Sequence, residues 1–204
     1  MSVSLQKGQK IDLTKGNTGL KKIVVGLGWD EAPEPAKSKG LFASLFSGSQ
    51  KQDIDCDASA ILCRENGKLM DKNDVIFYNY LKHSSKCVTH MGDNLTGGGE
   101  GDDERIVVDL ANLPMQYEKI VFVVTIYKAR ERHQHFGMIR NAFIRIVDSS
   151  DNHELFKYNL SESYDNMTSM IFGEVYRNNG EWKFSAIGQG TTDDGITEIS
   201  KRYK

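Results

Sequence analysis

Short runs of alternating or β-branched residues recur along most of the chain and predict strands. The run KIVFVVTIYK at 119–128 is the most strand-like and is expected near the centre of a sheet. Further strands are predicted at 3–5, 10–13, 20–29, 53–63, 75–80, 86–90, 105–110, 139–148, 153–160, 170–177 and 182–187. About ten short strands without a long amphipathic helix predict an all-β sandwich of two sheets, with one or two short helices.

Turn and loop signals divide these strands. Asn179-Gly180 is a hairpin signal between two of them. Residues 32–52 hold two of the three prolines among Ser, Gly and Lys residues, a composition typical of a flexible insertion. We therefore predict one domain over residues 1–204, interrupted by a flexible insertion at 32–52.

Composition excludes several classes of protein. The 26 basic and 28 acidic residues give a net charge of -2, which argues against a nucleic-acid partner. Three cysteines without a CxxC pair do not form an even disulfide framework, and we expect them to be small core residues. No apolar run has the length of a signal peptide core or a membrane span, so a cytoplasmic location is expected.

The stretch 92–109, GDNLTGGGEGDDERIVVD, concentrates acidic side chains around three consecutive glycines. Like charges about 4 Å apart repel by roughly 4 kcal/mol at the dielectric of a protein surface. A folded loop with these carboxylates together therefore needs a cation, and Ca²⁺ prefers such a mixture of carboxylate, amide and carbonyl oxygens. An open, solvated acidic hairpin is the alternative for this stretch taken alone.

A second acidic cluster lies at 53–57. Asp53, Asp55 and Asp57 alternate with apolar residues, so they fall on one face of a strand about 6.6 Å apart. No Lys or Arg lies within 53–57 or within 92–104, the first being Arg105, and Asp30 would add a carboxylate if its strand ends at the same edge. The spacing is not that of an EF-hand, because Ala58 stands where that loop needs Gly. Calcium bound by separate loops is favoured over a solvated acidic edge.

Other chemistries have weaker support. His83, Cys87 and His90 are only loosely spaced for zinc, as are His133 and His135. The glycines are followed by acids rather than by the Lys-Ser/Thr of a phosphate loop, and no GxSxG motif is present. Only two tryptophans are available to line a sugar groove, and Trp182 is expected in the core. We expect no enzyme.

Five motifs in the same order resemble the TerD family of tellurium-resistance and general stress proteins. They are VGLGWD at 25–30, DIDCDASAILC at 53–63, HMGDNLTGGGEGDDE at 90–104, FGMIRNAFIRIVD at 136–148 and GEVYRNNGEWKFSAIGQG at 173–190. The resemblance implies a calcium-binding β-sandwich in a cytoplasmic bacterial stress protein. It also implies partners among other Ter proteins, including a TerC-type membrane protein at the inner membrane face, and no established enzymatic reaction.

The resemblance also implies a calcium shell by position. The expected ligands are Asp30, Asp55, Asp57, Asp93, Asn94, Gly97, Gly99, Asp102, Asp103 and Glu104, with the two glycines contributing carbonyls. Asp53 and Glu100 are less secure members. The family usually passes from GWD to the aspartate strand more directly, so 32–52 is interpreted as an insertion, with partner binding as one role for it.

Three functional hypotheses follow. In the favoured one, calcium holds the 55–57 strand end against the 92–104 loop and makes that edge rigid for a partner. A calcium-dependent membrane-surface module would need apolar loop tips, for which only Met91 and Leu95 qualify. A metal-dependent hydrolase is the third hypothesis.

Overall fold

The computed structural model describes residues 2–17, 19–31, 53–92, 101–160 and 162–204. The strands there are β1 Val3–Leu5, β2 Lys10–Asp12, β3 Lys22–Glu31, β4 Cys56–Cys63, β5 Val75–Ile76, β6 Val88–His90, β7 Glu104–Asp109, β8 Lys119–Ile126, β9 Ile139–Asp148, β10 Glu154–Asn159, β11 Ser169–Asn178 and β12 Glu181–Thr191. The helices are α1 Ala129–Arg132 and α2 Ile196–Ile199, with 3-10 turns at Glu65–Gly67, Lys72–Asp74, Phe136–Met138 and Ser200–Tyr203. The predicted insertion at 32–52 lies outside the described residues.

Two six-stranded sheets make up the fold. Sheet A has the order β1-β10-β9-β3-β7-β6, and sheet B has the order β2-β12-β11-β8-β4-β5. The prediction of an all-β sandwich is confirmed, as is the interior position of β8. The first two strands lie at the edges of different sheets and do not pair with each other. Strand β1 pairs in parallel with β10, whereas β2 pairs with β12.

Hydrophobic side chains from both sheets fill the space between them. Ile23, Val25 and Leu27 of β3 face Phe122 and Val124 of β8 across a fully buried core. Each buried side chain of this size contributes about 1.5–3 kcal/mol relative to exposure. Trp182 also packs in this core, as the sequence predicts.

The two sheets differ in their outer faces, and the sequence pattern records the difference. Strand β4 is buried at every position, because α2 and the turn after it cover the outer face of sheet B. Strand β7 instead alternates, with Glu104, Ile106 and Val108 directed inward. Continuous apolar runs therefore mark the doubly covered sheet, and alternation marks the sheet with an open face.

The predicted hairpin between β11 and β12 is confirmed. Asn178 pairs with Glu181, and the two residues between them, Asn179 and Gly180, have φ of 53° and 80°. Positive φ at both central residues matches a type I′ turn, whose twist suits two antiparallel strands.

Candidate metal site at the acidic end of the sandwich

Carboxylates from the two predicted acidic segments meet at the start of β4. Burial raises the pKa of the Cys56 thiol, and four carboxylates nearby raise it further. In decreasing order of effect these belong to Asp57, Glu104, Asp55 and Asp103. Residues 55–57 and 103–104 are therefore close enough in the fold to act electrostatically on one buried thiol.

The Glu104 side chain extends from β7 of sheet A to β4 of sheet B. Its side chain is 1% exposed, and its Oε2 accepts a hydrogen bond from the Ala58 N–H of β4. His90 of β6 reaches the same residue, with Nε2 3.1 Å from the Ala58 carbonyl oxygen and 3.5 Å from Glu104 Oε2. Since His90 Nδ1 accepts from the Gly92 N–H at 3.2 Å, the ring proton belongs on Nε2 and the imidazole is neutral. Neither His90 nor Ala58 was singled out with Glu104 at the sequence level.

Asp103 and Asp30 line one cavity at this end of sheet A. Asp103 Oδ2 accepts from the Trp29 N–H at 2.7 Å, and Asp30 Oδ2 accepts from Asn141 Nδ2 at 2.8 Å. Burial raises the pKa of Asp103. The Trp29 N–H opposes that rise, while the charges of Asp30 and Asp102 add to it. The cavity has a volume of about 550 Å³ and also contacts Gly101 and Lys157.

Asp57 faces the other way. It is 5% exposed on the outer side of sheet B, where it lines a cavity of about 320 Å³ below α2. The alternation predicted for this segment is confirmed, because Cys56 and Ala58 belong to the core between the sheets. Glu131 and Asp194 line the same cavity. Nothing in their sequence context relates them to Asp57, and sequence reasoning missed them.

Two of the predicted ligands contact arginines. Arg145 binds Asp102 through Nε and Nη2, at 2.6 and 3.0 Å from its two oxygens. Arg132 Nη1 lies 3.9 Å from Asp55 Oδ2. The interpretation that no basic residue neutralises these clusters is therefore wrong for Asp102 and Asp55. Both arginines are distant in sequence from the acids they contact, so the local composition did not show them.

The rest of the predicted shell lies outside the described residues. This applies to Asp93, Asn94, Gly97 and Gly99, and also to Leu95 and Glu100. Within the described ranges, no three His, Cys, Asp or Glu side chains form a group that could hold a metal ion. Met91, just before this segment, has an exposed fraction of 57%.

A second buried carboxylate–histidine pair lies at the opposite end of the sandwich. Asp74 Oδ1 accepts from Tyr117 Oη at 2.7 Å and from His83 Nε2 at 3.2 Å. His83 Nδ1 accepts from the Ser85 N–H at 3.1 Å, so this imidazole is neutral as well. Tyr117 also packs edge-on against the His83 ring. These contacts engage both nitrogens of His83, the first of the histidines considered for zinc.

The cysteines are buried free thiols. Burial raises the pKa of Cys63 to about 12. Cys87 donates its S–H toward the Asn112 carbonyl, with Sγ 3.2 Å from the oxygen. The expectation that the three cysteines are small core residues is confirmed.

Comparison with known proteins places the whole chain in one family. The model of the TerD domain matches residues 1–203. The chain is 52% identical over 203 residues to stress response protein SCP2 of Bacillus subtilis (strain 168), with 100% of each chain covered. It is 45% identical over 203 residues to tellurium resistance protein TerD of Serratia marcescens, covering 100% of this chain and 97% of that one.

A solved structure shares the fold. The crystal structure of a homologue of telluride resistance protein (TerD) from Streptomyces coelicolor A3(2) superposes with a TM-score of 0.65. Sequence identity to it is 18%, with 91% of this chain and 99% of that chain covered. In the described part of our structure, no helix is long and apolar enough to cross a bilayer. The match over residues 1–203, together with relatives at 52% and 45% identity, shows that the chain belongs to the TerD-domain family of tellurium-resistance and stress-response proteins.

Proposed function

We propose that this protein binds Ca²⁺ at its acidic end and acts as a non-enzymatic stress-response protein. The observation that carries the proposal is the contact between the two acidic segments: Glu104 of β7 accepts from the N–H of Ala58, in the strand that follows Asp55. The Glu104 residue is 1% exposed. Carboxylates are almost never buried this deeply unless they are paired or coordinate a metal.

The donor set fits a hard cation. Asp55, Asp103 and Glu104 offer carboxylate oxygens, which Ca²⁺ prefers, and the nearby Cys56 thiol carries its proton. Both ring nitrogens of His90 are engaged with main-chain groups, so no histidine nitrogen competes for the ion there. Any ion would complete its shell from 93–100, where the family resemblance implies Asp93, Asn94 and the carbonyls of Gly97 and Gly99 as ligands.

Bound calcium would supply positive charge between segments that otherwise repel. Residues 55–57 would then be held against residues 101–104, giving a rigid edge at this end of the sandwich. That edge is the proposed surface for a partner. The resemblance implies that the partners are other Ter proteins and a TerC-type membrane protein. The relatives named for stress response and tellurium resistance support that cellular role.

Calcium binding is tested by calorimetric titration and thermal unfolding of the full chain, with and without calcium. At 100 times Kd, calcium should stabilise the fold by about 2.7 kcal/mol. For a domain of this size that corresponds to a rise in Tm of roughly 5–10 °C. Magnesium at the same concentration should produce a smaller rise, because it demands a tighter octahedral shell. No heat and no shift at millimolar calcium would end the proposal.

Variants locate the ion. Asp55→Asn and Asp103→Asn should each weaken calcium binding while the amide keeps the shape of the side chain. Glu65→Gln is the matched control, because Glu65 is an exposed acid beyond the other end of β4. It should bind calcium like the unmodified protein. Equal losses in all three variants would point to a diffuse charge effect instead of a site.

A further inference from the structure

Asp102 is held on the outer face of sheet A by a network of side chains. Arg145 of β9 contacts both oxygens of Asp102 and places Nη1 3.2 Å from Glu154 Oε2. Glu154 in turn accepts from Ser2 Oγ at 2.5 Å. A two-pronged guanidinium–carboxylate contact is among the strongest and most directional ion pairs in proteins.

The sheet is built to receive this carboxylate. Gly26 of β3 pairs with Arg105 on one side and with Arg145 on the other. The Asp102 carboxylate lies directly over Gly26, where a Cβ atom would overlap it. The absence of a side chain at residue 26 therefore creates the space in which Arg145 meets Asp102.

The same geometry separates Asp102 from its acidic neighbours. Glu104 is directed between the sheets and accepts from Ala58 of sheet B, whereas Asp102 lies on the outside of sheet A. Asp103, between them, is anchored to β3 through its own N–H, 2.8 Å from the Leu27 carbonyl oxygen. The side chains of Asp102 and Glu104 thus make contacts on opposite faces of sheet A.

We infer that Asp102 and Arg145 form a clamp that positions Asp103 and Glu104 for the ion, and that Asp102 is not itself a ligand. This inference rests on the proposed calcium function and narrows its ligand set. A carboxylate whose two oxygens both accept from a guanidinium has part of its lone-pair capacity and its charge already engaged, so it is a weaker ligand for a cation. The Arg145 guanidinium, whose Nε lies 2.6 Å from Asp102 Oδ1, would also repel a cation bound to Asp102.

The two roles of Asp102 predict opposite effects of Arg145→Ala. If Arg145 is a positioning residue, its loss frees the 101–104 segment and weakens calcium binding by roughly 10-fold, as is usual for outer supports of metal ligands. If Asp102 is a ligand, removal of the neighbouring positive charge tightens calcium binding instead. The sign of the change in Kd therefore separates the clamp from the ligand.

The experiment is a double-mutant cycle with calcium titration as the readout. Arg145→Ala, Asp102→Asn and the double variant should all weaken binding by the same factor, because each breaks the same contact. Arg145→Lys should restore only part of the affinity, since an ammonium cannot contact both oxygens in the same fork. Arg105→Ala is the control. Arg105 lies on β7 and pairs with Gly26, as Arg145 does from β9, but its side chain is exposed. The Kd of this variant should stay within about twofold of the unmodified protein, consistent with screening of exposed charges.

Thermal unfolding in the presence of a chelator tests the contact between Asp102 and Arg145 independently of calcium binding. There Arg145→Ala should lower Tm more than Asp102→Asn, because it also breaks the contact with Glu154, and the double variant should lower Tm by no more than Arg145→Ala alone. Tighter binding in Arg145→Ala, with much weaker binding in Asp102→Asn, would show that Asp102 is a ligand and would overturn the clamp. If the unmodified protein binds no calcium, the proposed function fails. Additive losses of Tm in chelator would independently refute the contact between the two side chains.

Discussion

Two buried carboxylate–histidine pairs occupy opposite ends of the sandwich and have different surroundings. At one end, His83 and Tyr117 both donate to Asp74, and the aromatic ring closes the group. At the other end, His90 directs its N–H to the Ala58 carbonyl, and the Glu104 carboxylate accepts from the Ala58 N–H. Both histidines carry the proton on Nε2, so protonation state does not distinguish them.

The difference lies in the neighbouring groups. Around Asp74 the close partners are neutral donors, which stabilise a single buried charge. Around Glu104 the chain supplies further acids: Asp103 precedes it, and Asp55 precedes the strand that it contacts through Ala58. A buried acid beside a histidine is therefore no evidence for an ion site by itself. The accumulation of further carboxylates is what makes the Glu104 end a candidate for calcium.

The largest effect is expected from Asp74→Ala. This change leaves Tyr117 Oη and His83 Nε2 buried without their acceptor, at a cost of about 3 kcal/mol. Because the group lies far from the acidic end, the loss should be the same in calcium and in chelator. Chemical denaturation under both conditions measures it.

Asp74→Asn provides the control for that loss. The amide oxygen can accept the same two hydrogen bonds, so the cost should stay below about 1.5 kcal/mol. A loss from Asp74→Ala that depended on calcium would show that the two ends are coupled and would weaken the comparison.

Glu104→Gln should have the next largest effect, and only when calcium is present. The amide can still accept from Ala58, while the charge that attracts the ion is lost. With calcium at 100 times Kd, the variant should be less stable than the unmodified protein by about 2 kcal/mol, most of the stabilisation that binding provides. In calcium-free buffer it should be equally stable or slightly more stable, because one of several like charges is gone. An equal loss of stability with and without calcium would show that Glu104, like Asp74, only stabilises the fold.

The smallest effects concern pH, and they have opposite signs at two aspartates. Burial raises the pKa of Asp103 above 3.8 in the folded protein. The folded state then retains this proton at a pH where the unfolded chain has lost it, so stability falls as pH rises from 3.8 through the raised pKa. In calcium-free buffer at pH 7, Asp103→Asn should therefore stabilise the protein by less than about 1 kcal/mol.

Asp193 provides the opposite case. Burial alone would raise its pKa, but hydrogen bonds from Arg202 and Thr191 outweigh burial and lower it. Its contribution to stability is present above 3.8 and is lost as pH falls through the lowered pKa. Asp193→Asn should thus destabilise the protein at pH 7, and the difference should vanish in acid. Urea unfolding at pH 7 and pH 3 compares the two variants; changes of the same sign would contradict the shifts.

Hydrophobic pattern located the strands, although the strand predicted at 75–80 is limited to Val75–Ile76, but it did not identify their partners. The alternation at 53–63 predicted that Asp57 and Cys56 point to opposite faces of a sheet, and they do. The Asn179-Gly180 signal predicted a turn whose φ values match. Local sequence determines both features, because they depend on alternation and on two adjacent residues.

The contacts that distinguish the two ends arise between distant residues. Arg145 and Asp102 are 43 residues apart, as are Tyr117 and Asp74. Residue type and spacing predict the face on which a side chain lies. Which strand lies next to which, and in what register, depends on packing of the whole core. For that reason the acidic loop was identified from sequence, whereas the arginine bound to Asp102 was not.

One contact at the acidic end also bears on aggregation. Strand β5 pairs with β4 only at Ala60 and Ile61, so among the described residues no strand covers the edge of β4 beside Ala58. Glu104 and His90 take the place of that missing strand by binding the N–H and carbonyl of Ala58. Exposed backbone edges of this kind recruit strands from other molecules. The two side chains proposed to lie beside the ion are therefore also expected to protect this strand from edge-to-edge association with other molecules.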